Sequence, residues 1–147
     1  MFGGLTSVFS AQSDVVYSVG EVASDGDVDV TLVNVMESDG GSSYTPNDGN
    51  IYLICEFKVV NHSDDDLTIS SMLSFSTTCD SKIYPIDLEA LGIAMFSGKP
   101  QMDTVVEPGK SFSGVVGYQV PKGWKDLQVQ YTSDLFSGSS FTFVANR

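Results

Sequence analysis

Apolar and polar residues alternate with a period of two along most of this chain, the pattern of strands with one buried and one wetted face. The clearest run is "IYLICEFKVVN", residues 51–61: Leu53, Cys55, Phe57 and Val59 share one face, while Glu56 and Lys58 share the other. Residues 27–37 carry Val28, Val30 and Leu32 in one phase and Val33 and Val35 in the next, so the pattern predicts a β-bulge near Leu32. In residues 110–120, Phe112, Gly114, Val116, Tyr118 and Val120 alternate against Ser111, Ser113 and Gln119. Pro121 cannot donate to a ladder and ends that run. Leu127, Val129 and Tyr131 follow in alternation with Gln128 and Gln130. Further strands are predicted over residues 15–22, 67–70, 73–79, 82–86, 102–106 and 141–145, with Leu73, Phe75 and Cys79 in phase. Leu53, Phe57, Phe75, Val116, Tyr118 and Val129 are the expected shared core.

Polar and glycine-bearing clusters separate the runs: "SDGD" at 24–27, "SDGGSSYTPNDGN" at 38–50, "NHSDDD" at 61–66, "SGKP" at 97–100 and "EPGK" at 107–110. Short strands at such spacing indicate a β-sandwich or barrel. One stretch departs from the pattern. "DLEALGIAMF", residues 87–96, reads as a short helix capped by Asp87, with Leu88, Leu91 and Met95 on one side. No internal repeat or linker divides the chain, so residues 15–147 are expected to form one domain behind a flexible N-terminal segment, residues 1–14.

The composition supports a folded core: 41% of the 147 residues are hydrophobic and 11% aromatic. Nineteen acidic residues outnumber seven basic ones, for a net charge of −12. Such a surface repels phosphate backbones and anionic bilayers, so neither nucleic acid nor membrane insertion is expected. No apolar run approaches the roughly 20 residues that span a bilayer. "MFGGLTSVF", residues 1–9, lacks a basic start and is broken by two glycines, so it does not read as a signal peptide.

The segment "VEPGKSFSGVVGYQVPKGWKDLQVQY", residues 106–131, carries a Pro-Gly turn, then Gly-x-Val-x-aromatic-x-Val-Pro, then a Leu-containing strand. "GNIYLICEFKVVNHSDDDLTIS" adds a strand ending in Asn61, a polar turn with Ser63 and a short apolar strand. Together these segments resemble the DUF4352 family, immunoglobulin-like domains of bacterial extracellular proteins and lipoproteins. Two departures stand out: the extended 87–96 crossover, and Asp80-Ser81 where the family often has Asp-Gly. The resemblance covers roughly residues 15 to 145. It implies an all-β, antiparallel, immunoglobulin-like β-sandwich of seven to eight strands with at most one short helix, and an extracellular or cell-surface setting. It implies no chemistry and no functional residues.

The residues themselves offer few candidate sites. Cys55 and Cys79 both fall in core phase; they are either ordinary buried thiols or one disulfide contributing roughly 3 kcal/mol. His62, the one histidine, sits in a polar turn and has no nucleophile motif to serve. The Asp64, Asp65 and Asp66 run reads as a solvated turn or as a weak calcium site, and calcium is the only cofactor the sequence admits. Trp124 either staples the 122–126 connection to the core or forms a binding anchor. Tyr44, in the 38–50 loop, is a second aromatic candidate. No catalytic set is present, so the expectation is a non-enzymatic binding or interaction module whose partner is a protein or a cell-wall polymer. Recognition is expected from the loops at 38–50, 61–66 and 122–126, because the outward strand positions Ser111, Ser113, Gln119, Gln128 and Gln130 are small or polar. A structural spacer without a ligand of its own is the alternative.

Overall fold

The longest alternating runs form the longest strands. In the computed structural model, which describes residues 15–42, 44–134 and 139–147, the 51–61 run lies within β4 (Asn50–Asn61). It is flanked by β3 (Val28–Ser38) and β9 (Ser111–Pro121), both antiparallel to it. The segment 1–14, read above as flexible, lies outside the described residues. The bulge predicted near Leu32 is present: Leu32 pairs with Phe57 and Asn34 with Glu56, leaving Val33 unmatched.

The other strands are β1 (Val16–Ser18), β2 (Val22–Ser24), β5 (Leu67–Ile69), β6 (Phe75–Cys79), β7 (Lys82–Tyr84), β8 (Thr104–Val106), β10 (Asp126–Thr132) and β11 (Ser140–Asn146). One sheet has the order β1-β11-β10-β6-β7 and the other β2-β3-β4-β9, while β5 and β8 form a separate ribbon. Pairing is antiparallel except between β1 and β11. The strands therefore exceed the seven or eight expected, and the excess consists of three-residue pieces. The predicted 15–22 strand is one source. Gly20 adopts φ +91°, a region open to glycine, and its N–H bonds to Leu32 O at 2.8 Å. The chain breaks there and crosses between sheets, so β1 pairs with β11 and β2 with β3.

The core lies between the two sheets. Leu53, Phe57, Phe75, Val116, Tyr118 and Val129 are all buried in it. Phe57 is its hub, with ring centroids 5.1 Å from Phe75 and 5.4 Å from Phe143. Leu73 does not join: it lies in the turn before β6 and is 87% exposed.

The predicted helix is α1 (Leu88–Phe96); the Asp87 side chain caps it, accepting from Ala90 N at 3.0 Å. Its buried residues are Ala90, Leu91 and Ala94, whereas Leu88 and Met95, placed on one side with Leu91 by the sequence reading, are exposed. The difference comes from where α1 sits. It lies on the outer face of the β4–β9 sheet and forms a second small core with Tyr52, Ile54 and Val115. Gly117 permits this seating, because a Cβ there would stand 2.7 Å from the Ala90 Cβ. Tyr52 Oη donates to Glu89 Oε1 at 2.5 Å and ties sheet to helix.

Asp80 and Ser81 join β6 to β7 with φ values of 49° and 69°. Two-residue hairpin turns of this hand favour glycine at the second position. Asp80 has a compensating role, since its carboxylate accepts from the Lys125 and Asp126 N–H groups. Ser81 has no such role among the hydrogen bonds found. Ser81→Gly is therefore expected to stabilise the domain by about 1 kcal/mol, read as a raised urea midpoint.

Candidate functional site

The bulge in β3 decides what the end of that strand presents. Before it, Val30 pairs with Val59 and Leu32 with Phe57; beyond it, Val35 pairs with Cys55 and Glu37 with Leu53. Core phase thus passes from even to odd positions and brings a carboxylate, Glu37, to the mouth of the sandwich. Two donors converge on it: Trp124 Nε1 at 2.8 Å and Arg147 Nε at 2.7 Å, both to Oε2. Ser18, Val35 and Ala145 also line the open cleft, which has a volume of about 700 Å³. Trp124 is 4% exposed and belongs to the core. It is both the staple of the β9–β10 connection and a wall of the cleft.

The hydrogen bonds from Arg147 and then Trp124 hold the Glu37 carboxyl below its usual value of 4.5, against a smaller effect of burial. Glu37 is therefore ionised at neutral pH. A depressed folded pKa contributes stability above the unfolded value that is lost as pH falls through the folded one. The gap in denaturation midpoint between Glu37→Gln and the parent, present at pH 7, is expected to close as pH falls below about 4.5. The cleft can form charge-assisted and neutral hydrogen bonds.

The other sequence candidates are not brought to this cleft. Tyr44 is half-buried against α1: its ring stacks on Phe96 at 6.3 Å and lies over Gly92. Asp64, Asp65 and Asp66 are exposed on the turn after β4. Successive side chains of a tight turn diverge, and among the described residues no group of three His, Cys, Asp or Glu is arranged to hold a metal ion. The turn is instead fixed by Asn61, whose Nδ2 donates to Asp65 O. His62 pairs with Asp29 at 3.0 Å. Cys55 and Cys79 face the core from opposite sheets and stand as free thiols, not as the disulfide considered from sequence. Burial pushes them up to about 12 and about 11 respectively, which keeps both protonated and poor nucleophiles. Among the outward strand positions, Gln119 is half-buried and accepts from Asn47 N at 2.7 Å, so it serves the loop and not a ligand. Two residues of the cleft escaped the sequence reading. Glu37 carried one signal, a carboxylate in core phase beyond a bulge; Arg147 carried none.

Residues 17–141 match the family described as Domain of unknown function (DUF4352). No curated protein matches the chain significantly. Among solved structures, a "putative lipoprotein (ycdA)" of Bacillus subtilis is similar with a TM-score of 0.66 at 18% identity; the match covers 85% of this chain but 38% of that one. The yjhA protein of Bacillus subtilis is similar with a TM-score of 0.64 at 17% identity, over 87% of this chain and 98% of that one. An uncharacterized beta-sandwich protein of Clostridium difficile gives 0.55 at 13% identity, over 92% and 97%. At these identities the likeness is one of fold.

Proposed function

The chain belongs to the DUF4352 family, and from that premise we propose that it is a non-enzymatic binding or interaction module of the bacterial cell surface. The observation that carries the reading is the cleft at the sandwich mouth, where Glu37 and Arg147 stand beside the indole of Trp124. Guanidinium groups are among the side chains that most often dominate binding energy, and that of Arg147 is exposed, backed by the buried indole. The partner is a cell-wall polymer or a basic protein surface that meets the cleft with amide, hydroxyl or ammonium groups. The surface setting draws on the relative described as a lipoprotein. It is also consistent with an acidic domain in which no described helix is long and apolar enough to cross a bilayer.

Trp124 is the single tryptophan of the chain, so its emission reports on the cleft directly. Titration with soluble peptidoglycan fragments, and separately with a basic peptide, is expected to give a saturable change with one of them. Arg147→Ala and Glu37→Gln should each weaken that binding by about tenfold. A second reading, a spacer with no ligand of its own, draws on the size of the ycdA protein, of which this fold covers 38%. Unchanged emission with every probe, together with an empty pull-down from cell-wall extract, would favour the spacer.

A further inference from the structure

We propose that the open edge of β3, residues 33–38, takes up an extended, basic peptide segment of a partner protein as an added β-strand. Such a strand would enter the Glu37 cleft, so its placement rests on the cleft being the binding site proposed above. β2 covers β3 only from Asp29 to Thr31, and the Gly20 N–H bond to Leu32 O at 2.8 Å ends that contact. Beyond Leu32, no described strand pairs with this side of β3. The sheet therefore has an open place in line with β2, beside the cleft that Asn34, Val35 and Glu37 line.

Strand geometry says which backbone groups point there. In an antiparallel ladder the N–H and C=O of one residue point to the same edge, and successive residues alternate. Side-chain face and edge are therefore locked together. The core-facing residues Val28 and Leu32 turn their carbonyls away from β4, to Asp25 N and Gly20 N. After the bulge the core-facing residues are Val35 and Glu37, so their N–H and C=O groups point to the open edge, while Asn34 and Met36 bond to β4. No described backbone group takes them up. The other edges of the two sheets are blunted in the ways natural sheets blunt them. β1, β2 and β7 are three residues long. β9 is covered: Met102 N donates to Val115 O at 3.0 Å, Val115 N to Pro100 O at 2.9 Å and Asp87 N to Gly117 O at 2.8 Å. The β3 edge, "VNVMES", has neither Lys nor Pro.

Charge selects the occupant. Exposed acidic residues accompany the open edge: Glu21 beside the Gly20 crossing, Glu37 within the edge, and Asp39 just past its end. The single cation lining the cleft, Arg147, is already bound to Glu37 Oε2, and no described donor reaches Oε1. Lys or Arg side chains of an added strand would meet these carboxylates as cross-strand pairs. A second copy of this chain would instead set a net charge of −12 against another −12. Main-chain bonds to Val35 and Glu37 would supply affinity, and alternate side chains specificity.

The probe is the acetylated, amidated peptide Thr-Lys-Val-Lys-Val-Lys-Thr, titrated into the full chain with Trp124 emission and amide hydrogen exchange as readouts. Exchange at Val35 and Glu37 is expected to slow by about tenfold or more at saturation, while Asn34 and Met36, already in the ladder to β4, stay unchanged. A copy N-methylated along its backbone and a copy with Glu in place of Lys should both fail to bind. Val35→Pro removes one edge N–H without touching the β4 ladder and should weaken binding by about tenfold. Where that variant does not fold, the N-methylated copy tests the same bonds from the peptide side. A saturable emission change without slowed exchange at Val35 and Glu37 would keep the cleft as a binding site and overturn strand addition. Neither change would also overturn strand addition, and the peptidoglycan titration then decides the cleft reading by itself. Binding of the N-methylated or Glu-bearing copy would overturn the proposal. So would slow exchange at Val35 and Glu37 before any peptide is added, which would show the edge filled by this chain or, where dilution restores exchange, by a second copy.

Discussion

Phe57→Ala is expected to remove about 3–5 kcal/mol of folding stability, seen as a large fall in the urea midpoint with an unchanged slope. Phe57 comes from the central strand of one sheet, is fully buried, and contacts Phe75 and Phe143 of the other sheet. Phe75 in turn lies 5.3 Å from Tyr131, and Phe143 lies 5.8 Å from Tyr17. Truncation therefore takes away the ring that joins the two sheets and leaves a cavity that flanking β-strands, pinned by their ladders, cannot close. Domains of this size typically hold about 5–15 kcal/mol in total, so the variant should be close to unfolding at 37 °C. A loss below about 1 kcal/mol would show that this ring is not the hub of the core.

Asn61→Asp is expected to cost about 4 kcal/mol at pH 7 although it barely changes volume. The Asn61 side chain is fully buried and fully used. Its Nδ2 donates to Asp65 O and to Val106 O, both at 2.8 Å, and its Oδ1 accepts from Ser63 N at 2.9 Å and Ser63 Oγ at 2.7 Å. Its own backbone closes the ring: its N–H bonds to Lys110 O at 2.9 Å, and its carbonyl accepts from Gly109 N at 2.8 Å. One amide thus holds together the end of β4, the acidic turn, β8 and the Pro108-Gly109 turn. An aspartate would aim an oxygen at two carbonyl oxygens. Burial and those carbonyls favour the protonated acid, so its folded pKa rises above the unfolded value of about 3.9. The variant then loses stability relative to the parent as pH rises from about 4 through the folded pKa, after which the gap is constant. Denaturation midpoints at pH 4 and pH 8 check this, and an equal gap at both values would show that the site accepts a charge.

The alternating runs, the bulge near Leu32, the Asp87 cap and the Asn61 and Pro108-Gly109 positions were all legible in the sequence. Each is a local matter: a period of two, a change of phase, a side chain bonding three residues ahead, a turn residue with a restricted φ. The tertiary structure decided what local rules do not encode. Gly20 reads as a weak point in a strand, but only the competing ladders of β11 and β3 turn it into a crossing between sheets. Apart from Glu89 the helix is apolar, so its sequence does not say which side is buried; Gly117 and Ala90, 27 positions apart, settle it by allowing close approach on an outer sheet face. Trp124 was legible as an aromatic in a connection. Its role was not, because Glu37, Trp124 and Arg147 are brought together from three distant parts of the chain by the register beyond the bulge.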